Sequence, residues 1–250
     1  MFKPLSLLLL LLMPFAHGQA LRIATGELPP YATAERPDQG VALQIVRRAF
    51  ALAGYKVEYH FMPWTRALEE SAAGRWHATA YWGNDAERNS RFFASDNVLT
   101  EQWVFVHRRD RRFDWTALTD LRPYRLAIIA NYTYTPQLWQ LLNSGYVQGD
   151  ATPDDLLALR KLLARRVDVV PIERNVACHL LARHFTPAQA ARLQAHPRLL
   201  TDSFTTHLLL PRKRPGSEAL LADFNRGLQQ LKASGEYAAL LKGVSCPRGW

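Results

Sequence analysis

The sequence predicts an α/β fold dominated by parallel strands, on three observations. Short β-like runs alternate with helical periodicity through the first third of the chain. The same alternation resumes in the middle. The unit changes near residue 100 and returns near residue 203. Strands that run parallel need a crossover between them, so the β-α-β order implies helices packed over a sheet.

Each element has its own reason. Leu21-Arg22-Ile23-Ala24-Thr25 is a short β run, and Glu27-Leu28-Pro29-Pro30-Tyr31 follows as an extended loop that two prolines impose. From Val41 to Ala53, the residues Ala42, Ile45, Val46, Ala49, Phe50 and Ala53 share one helical face, and Gly54 ends the helix. Tyr55 to Phe61 alternates as a strand, Thr65 to Ala73 is a short helix ended by Gly74, and Ala78 to Trp82 is a third strand. Beyond residue 100, strands are expected at Gln102–His107, Tyr124–Ala130 and Arg166–Ile172. Thr135 followed by Pro136 reads as an N-cap with proline at the first helical position, opening a helix to about Asn143. A second helix is expected from Thr152 to Leu163, capped by Thr152 with Asp155 three residues on, and a third from Asn175 to His184. A late strand at His207–Leu210 and two helices between Ser217 and Leu241, broken near Gly235, complete the pattern.

The N-terminus carries a compartment signal. Lys3 precedes a leucine-rich run from Leu5 to Met13, and Pro14 to Gly18 follows with small residues, the pattern of a cleaved secretory signal peptide over residues 1–20. The run is about half the ~20 residues that a spanning helix needs, which argues against an anchor. The expected mature chain is exported to the periplasm, about 230 residues long, enough for one large domain or two small lobes.

The net charge is +9, with arginines clustered at residues 108–112 and basic residues at 212–214. Both clusters lie between apolar runs beside Pro or Asp and read as solvated loops. No aromatic-interleaved motif accompanies them, so no nucleic-acid partner is expected. Two cysteines, Cys178 and Cys246, leave a disulfide and two free thiols both open. There is no C-x-x-C and no tight histidine spacing, so neither a metal nor a cofactor is expected.

Several landmarks then recur in a recognisable order: Glu27-Leu28-Pro29-Pro30-Tyr31, Gly40 before a helix, Gly74-Arg75 before a strand, Ala86-Glu87-Arg88, and Phe93-Ala94-Ser95. Arg165-Arg166-Val167-Asp168-Val169, Asp223-Phe224-Asn225 and Gly235-Glu236-Tyr237 follow. Together they resemble the periplasmic amino-acid-type solute-binding proteins of family 3, over nearly the whole mature chain. The resemblance implies the type II binding-protein fold, with two lobes, each a mostly parallel sheet flanked by helices, joined by two hinge strands. The first lobe would span residues 21–98 plus 204–250 and the second 102–200, closing by hinge bending around a ligand.

The resemblance also assigns a site. Arg88 matches the arginine that grips a ligand carboxylate, for which a planar guanidinium is suited. The structural alternative is pairing with Asp85 or Asp96, and Arg91 is expected to face solvent. Gly83 or Asn84 stands where the family usually has a threonine, so the carboxylate pocket after Trp82 departs from the pattern. Glu173 aligns with the ammonium-binding acid, its alternative being a helix N-terminal acid favoured by the dipole. Asp168 is expected to be structural. Tyr31 and Trp64 match the aromatic walls, Tyr81 and Trp82 narrow the pocket, and Arg66 is a candidate second anion contact. The loop Ala130 to Thr135 brings Tyr132 and Thr133 from the second lobe where the family commonly has small residues, and His77 is assigned to packing.

The expected function is capture of an amino acid or related small carboxylate by a monomer, for an inner-membrane ABC permease. No catalytic residue is assigned. Two alternatives stand beside it: a cyclohexadienyl-dehydratase-like enzyme on the same fold, and a periplasmic sensor that reports the ligand without transport.

Overall fold

A computed structural model describes residues 20–129, 132–244 and 246. Of the expected signal peptide only Ala20 is among them. Ala130 and Asn131 of the second-lobe loop also lie outside the described residues.

The chain opens with β1 (Leu21–Thr25), α1 (Val41–Leu52), β2 (Val57–Phe61), α2 (Trp64–Ala72) and β3 (Ala78–Gly83). A short helix α3 (Ala86–Arg91) and strand β4 (Phe92–Ala94) lead into the long β5 (Leu99–Arg108). Then come β6 (Arg125–Ile129), α4 (Pro136–Asn143), β7 (Gln148–Thr152), α5 (Asp155–Leu163), β8 (Val169–Glu173) and α6 (Arg174–His184). The chain continues through α7 (Pro187–Ala190), β9 (Leu193–Ala195), the 11-residue β10 (Thr201–Pro211), α8 (Ser217–Ala233) and α9 (Glu236–Leu241).

One curled sheet joins all of these strands, in the order β2-β1-β3-β10-β5-β8-β6-β7 with β4 and β9 off the path. The β1 pairings with β2 and β3 are parallel, and so are those of β6 with β7 and β8. Between these two parallel blocks, β10 and β5 run antiparallel to each other and to their outer neighbours. The two long strands therefore carry the chain from one block to the other and back. Apolar faces pack over the sheet as the periodicity requires: α1 buries Val41, Ala42, Leu43, Ile45, Val46, Ala49 and Phe50. Phe50 meets Phe224 of α8 with ring centroids 4.9 Å apart. The helices touch so closely there that a Cβ on Gly227 would lie 2.0 Å from the Ala49 carbonyl oxygen.

Some boundaries differ from the sequence reading. Thr152 ends β7 rather than capping a helix. The N-cap of α5 is Asp154, whose side chain accepts from the Leu157 amide at 2.7 Å. Two cap-type residues lie within three positions, and strand pairing of Thr152 with Ile129 settles which one caps. The late strand starts six residues earlier than its apolar run, because the polar stretch Thr201–Thr206 pairs with β5. The segment after Asp85 is first a helix, α3, before it becomes strand.

Of the alternatives left open for the cysteines, the disulfide forms: Cys178 in α6 bonds Cys246, 68 residues on and beyond α9, with Cα atoms 5.7 Å apart. Closing a loop of that length removes unfolded-state entropy worth about 4 kcal/mol.

Candidate functional site

A cavity of about 510 Å³ opens where the ends of β1, β3 and β6 meet β5 and β10. Pro63, preceding α2, sets Trp64 at the rim, and its indole Nε1 donates to the Glu27 carbonyl at 3.3 Å. The ring lies so close to Gly26 that a Cβ there would come within 2.3 Å of it. Trp64 meets Trp82 edge-on at 5.1 Å. On the facing side, Trp103 packs against Tyr132 at 5.9 Å and Phe204 at 5.4 Å. The cavity is thus walled by aromatics from both parallel blocks.

Arg88 forms one end. Asp85 caps α3 by accepting from the Arg88 amide, and its other oxygen takes Arg88 Nη1 at 2.5 Å. The same Nη1 donates to the Gly83 carbonyl at 3.1 Å and to Thr133 Oγ1, from the opposite side of the cleft, at 2.5 Å. The guanidinium also lies over the Trp82 ring at 5.2 Å. Burial lowers its pKa, partly offset by the charges of Asp85 and Glu87. Gly83 permits the contact with Thr133, since a Cβ at this position would fall 2.6 Å from Phe204 and 2.9 Å from Thr133. Beyond this contact lies a second, wider cavity of about 740 Å³, which Asn84, Arg88 and Thr133 also line.

Carboxylates gather at the other end. The Tyr81 hydroxyl donates to Glu101 Oε1 at 2.5 Å and Trp103 Nε1 donates to Oε2 at 2.9 Å. Tyr81 reaches it through a β-bulge. Trp82 and Ala80 pair with the consecutive residues His207 and Leu208 of β10, leaving Tyr81 between them with φ of +73°. A bulky residue in that left-handed region costs on the order of 1–3 kcal/mol, and bulges re-aim side chains. Here the ring turns to stack on Tyr31 at 5.3 Å. Burial raises the pKa of Glu101 and of Glu173, and for Glu173 the charge of Glu101 adds to it. Asp155, the first residue of α5, accepts from the Tyr132 hydroxyl at 2.7 Å, and burial pushes its carboxyl up to about 7.

Seven of the sequence-assigned residues, Trp64, Tyr81, Trp82, Gly83, Arg88, Tyr132 and Thr133, line the 510 Å³ cavity. Asn84 lines the wider one. Tyr31 and Glu173 line neither and sit buried behind the wall, joined through Asn175, whose Nδ2 donates to the Tyr31 hydroxyl at 2.8 Å and Glu173 Oε1 at 3.4 Å. Glu173 is also the N-cap of α6, accepting from the Val176 amide at 2.8 Å. Of the two readings of Glu173, its contacts are those of the helix N-terminal acid, and it lines neither cavity. Arg66 is not an anion contact of either cavity: it pairs with Glu70 one turn on and is exposed. Arg91, expected to face solvent, is half-buried: it pairs with Glu69 and lines the wider cavity, while Asp168 pairs with Arg111 and accepts from the Arg125 amide. His77 accepts from the Arg22 amide, a packing role.

Sequence reasoning missed Glu101, Trp103 and Asp155. Glu101 had a signal: it shares a strand face with Leu99 and Trp103, an acid where alternation calls for an apolar residue.

The comparisons with known proteins agree with this architecture. An ancestral arginine-binding protein bound to arginine superposes with a TM-score of 0.74 at 18% identity, covering 90% of this chain and 97% of that one. A histidine kinase sensor domain with similarity to periplasmic binding proteins gives 0.75 at 20%, covering 92% and 98%. The ancestral amino-acid-binding protein AncCDT-1, a precursor of cyclohexadienyl dehydratase, gives 0.71 at 17%, covering 90% and 94%. At such identities the likeness is one of fold, the two-lobed type II periplasmic binding protein. No curated protein sequence matches the chain significantly. The family model for bacterial extracellular solute-binding proteins, family 3, matches residues 21–243, nearly all that the structure describes, and the chain belongs to that family.

Proposed function

We propose that this protein is an exported, monomeric binding protein that captures an amino acid or related small carboxylate between its lobes and delivers it to an inner-membrane ABC permease. The described residues of 21–98 and 204–250 form one lobe and those of 102–200 the other, with β5 and β10 as the hinge. The observation that carries the reading is Arg88 bonded across the cleft to Thr133, at the end of an aromatic-walled cavity sized for a small molecule. A ligand carboxylate exchanges for the Asp85 oxygen and takes two parallel hydrogen bonds from the guanidinium. Trp64, Trp82 and Tyr132 enclose the ligand body, with the Gly83–Asn84 turn beside the carboxylate. The ligand amine faces Glu101, with Glu173 and Tyr31 behind it. An ammonium there favours the ionised carboxylates that burial alone disfavours.

Thermal unfolding of the protein against amino acids and other small carboxylates tests this. A ligand at a hundred times its Kd adds about 2.7 kcal/mol of stability. Stabilisation by one compound class, lost in Arg88→Ala, supports the reading; no stabilisation by any of them overturns it.

A second reading has its own observation. Burial raises the carboxyls of Glu101, in the cavity wall, and of Glu173, behind it, at the end of the cavity away from Arg88, and a carboxyl that holds its proton is what an acid-catalysed dehydratase requires. Turnover of a prephenate-type substrate, lost in Glu173→Gln, would establish it. A sensor role without transport is separated from delivery by the membrane partner that co-purifies: a signalling protein or a permease.

A further inference from the structure

The charged side chains lining the 510 Å³ cavity are unequal: Glu27, Glu101, Asp154 and Asp155 against Arg88. Arg88 is already matched by Asp85. The chain as a whole is basic, so this acidic lining is local to the cavity. Glu27 and Asp154 are occupied by backbone amides, those of Ala34 and Leu157. Glu101 has donors on both oxygens. Asp155 differs. It is only 4% exposed, Tyr132 satisfies Oδ2, and Oδ1 has no hydrogen-bond partner among the described residues. An orphaned carboxylate oxygen in so buried a place is unfavourable until a donor arrives.

We propose that Asp155 is a subsite for a cationic nitrogen at the far end of the ligand, so that the cavity selects amino acids with an ammonium or guanidinium side chain. This rests on the binding function proposed above. The arrangement suits it. Thr133 bonds Arg88 and Tyr132 bonds Asp155, and these two residues are adjacent in the chain. One short loop thus holds an anion-binding and a cation-binding group in the wall of the same small cavity. The Tyr132 hydroxyl holds Oδ2 and orients the carboxylate in the cavity wall, while Oδ1 is left without a donor among the described residues. A side chain without N–H leaves that oxygen unmet and a neutral N–H meets it without the opposite charge, so the buried acid discriminates in favour of a cation.

Calorimetric titration of the full chain with L-arginine, L-lysine, their uncharged counterparts citrulline and norleucine, and L-glutamate tests the subsite. The expected result is at least tenfold tighter binding of each cationic ligand than of its uncharged counterpart. Asp155→Asn is expected to weaken arginine at least tenfold more than citrulline, and citrulline binding reports that the variant is folded. Equal affinities for charged and uncharged partners in the unaltered protein, or glutamate binding tightest, overturn the subsite and leave the binding function standing. If none of the five binds, but another small carboxylate stabilises the protein in an Arg88-dependent way, the subsite alone falls. If no carboxylate binds at all, both fall.

Discussion

Arg88 and the carboxylates Glu101 and Asp155 line one cavity, yet their charges are handled differently. Arg88 is a charge among charges and dipoles: Asp85, the Gly83 carbonyl and Thr133 all meet it, and three of its contacts come from its own turn. The carboxylates are met by neutral donors only, Tyr81 and Trp103 for Glu101 and Tyr132 for Asp155. A guanidinium keeps its proton in any protein environment. A carboxyl without a cation instead takes up a proton as it is buried. One end of the cavity is therefore fixed in charge and the other responds to what binds. An apo protein built this way holds its acidic end close to neutral, and a cationic ligand restores the charge.

The strongest way to break the comparison is to delete the fixed charge. Arg88→Ala is expected to weaken carboxylate ligands by a hundredfold or more, about 2.7 kcal/mol, since losing one partner of a buried charge pair costs 2–5 kcal/mol. Titration calorimetry measures it, and an unchanged affinity would show that the anion end lies elsewhere.

The responsive end should be visible in stability without any ligand. Unfolded carboxyls titrate near pH 4, whereas Asp155 in the folded state titrates at about 7 and Glu101 and Glu173 are raised too. Between those limits the folded state holds more protons, so stability falls as pH rises, by up to about 1.4 kcal/mol per pH unit for each proton retained. Urea unfolding of the apo protein is expected to give a stability roughly 2 kcal/mol higher at pH 5.5 than at pH 8. Burial lowers the pKa of His77, His107 and His179, which contribute the opposite slope, so the carboxyls are isolated by comparison with Asp155→Asn and Glu101→Gln. Variants that leave the profile unchanged would mean the carboxylates are ionised in place.

A smaller effect follows from the contact that joins the two ends. Gly83→Ala puts a methyl against Phe204 and Thr133 and holds the facing sides apart. Ligand affinity is expected to fall about tenfold, roughly 1.4 kcal/mol, with little change in Arg88 itself. The smallest effect is expected from Glu101→Gln, whose amide oxygen accepts from Trp103 while its NH2 donates to the Tyr81 hydroxyl oxygen, removing one buried titration. It should raise stability at pH 8 by about 1 kcal/mol and flatten the pH profile. A loss of stability at pH 8 would instead show Glu101 to be a settled anion.

Much of this was legible before any coordinates. The order of β and α periodicities gave the two parallel blocks, and the caps of α4 and the glycines after α1 and α2 marked their ends. The place of Arg88 was legible because it is local: the turn, the N-cap and the arginine lie within six residues. The pairing found there is the structural alternative, with Asp85, and the carboxylate grip is the proposal built on it. Glu101, Trp103 and Asp155 were not legible as a group, because they belong to elements that meet only when the sheet is assembled. Tyr81 was placed near the pocket, but its reach to Glu101 depends on the bulge that pairing with β10 creates.

What the sequence by itself determined is therefore what short-range physics controls: helix faces, turn residues, caps and the charge of each side chain. Only the tertiary structure decided which charges share a cavity, which of them have a partner, and that Cys178 and Cys246 come within bonding reach. The reason is burial. Whether a carboxylate is ionised, satisfied or waiting for a donor depends on the atoms that replace water around it, and those arrive from distant parts of the chain.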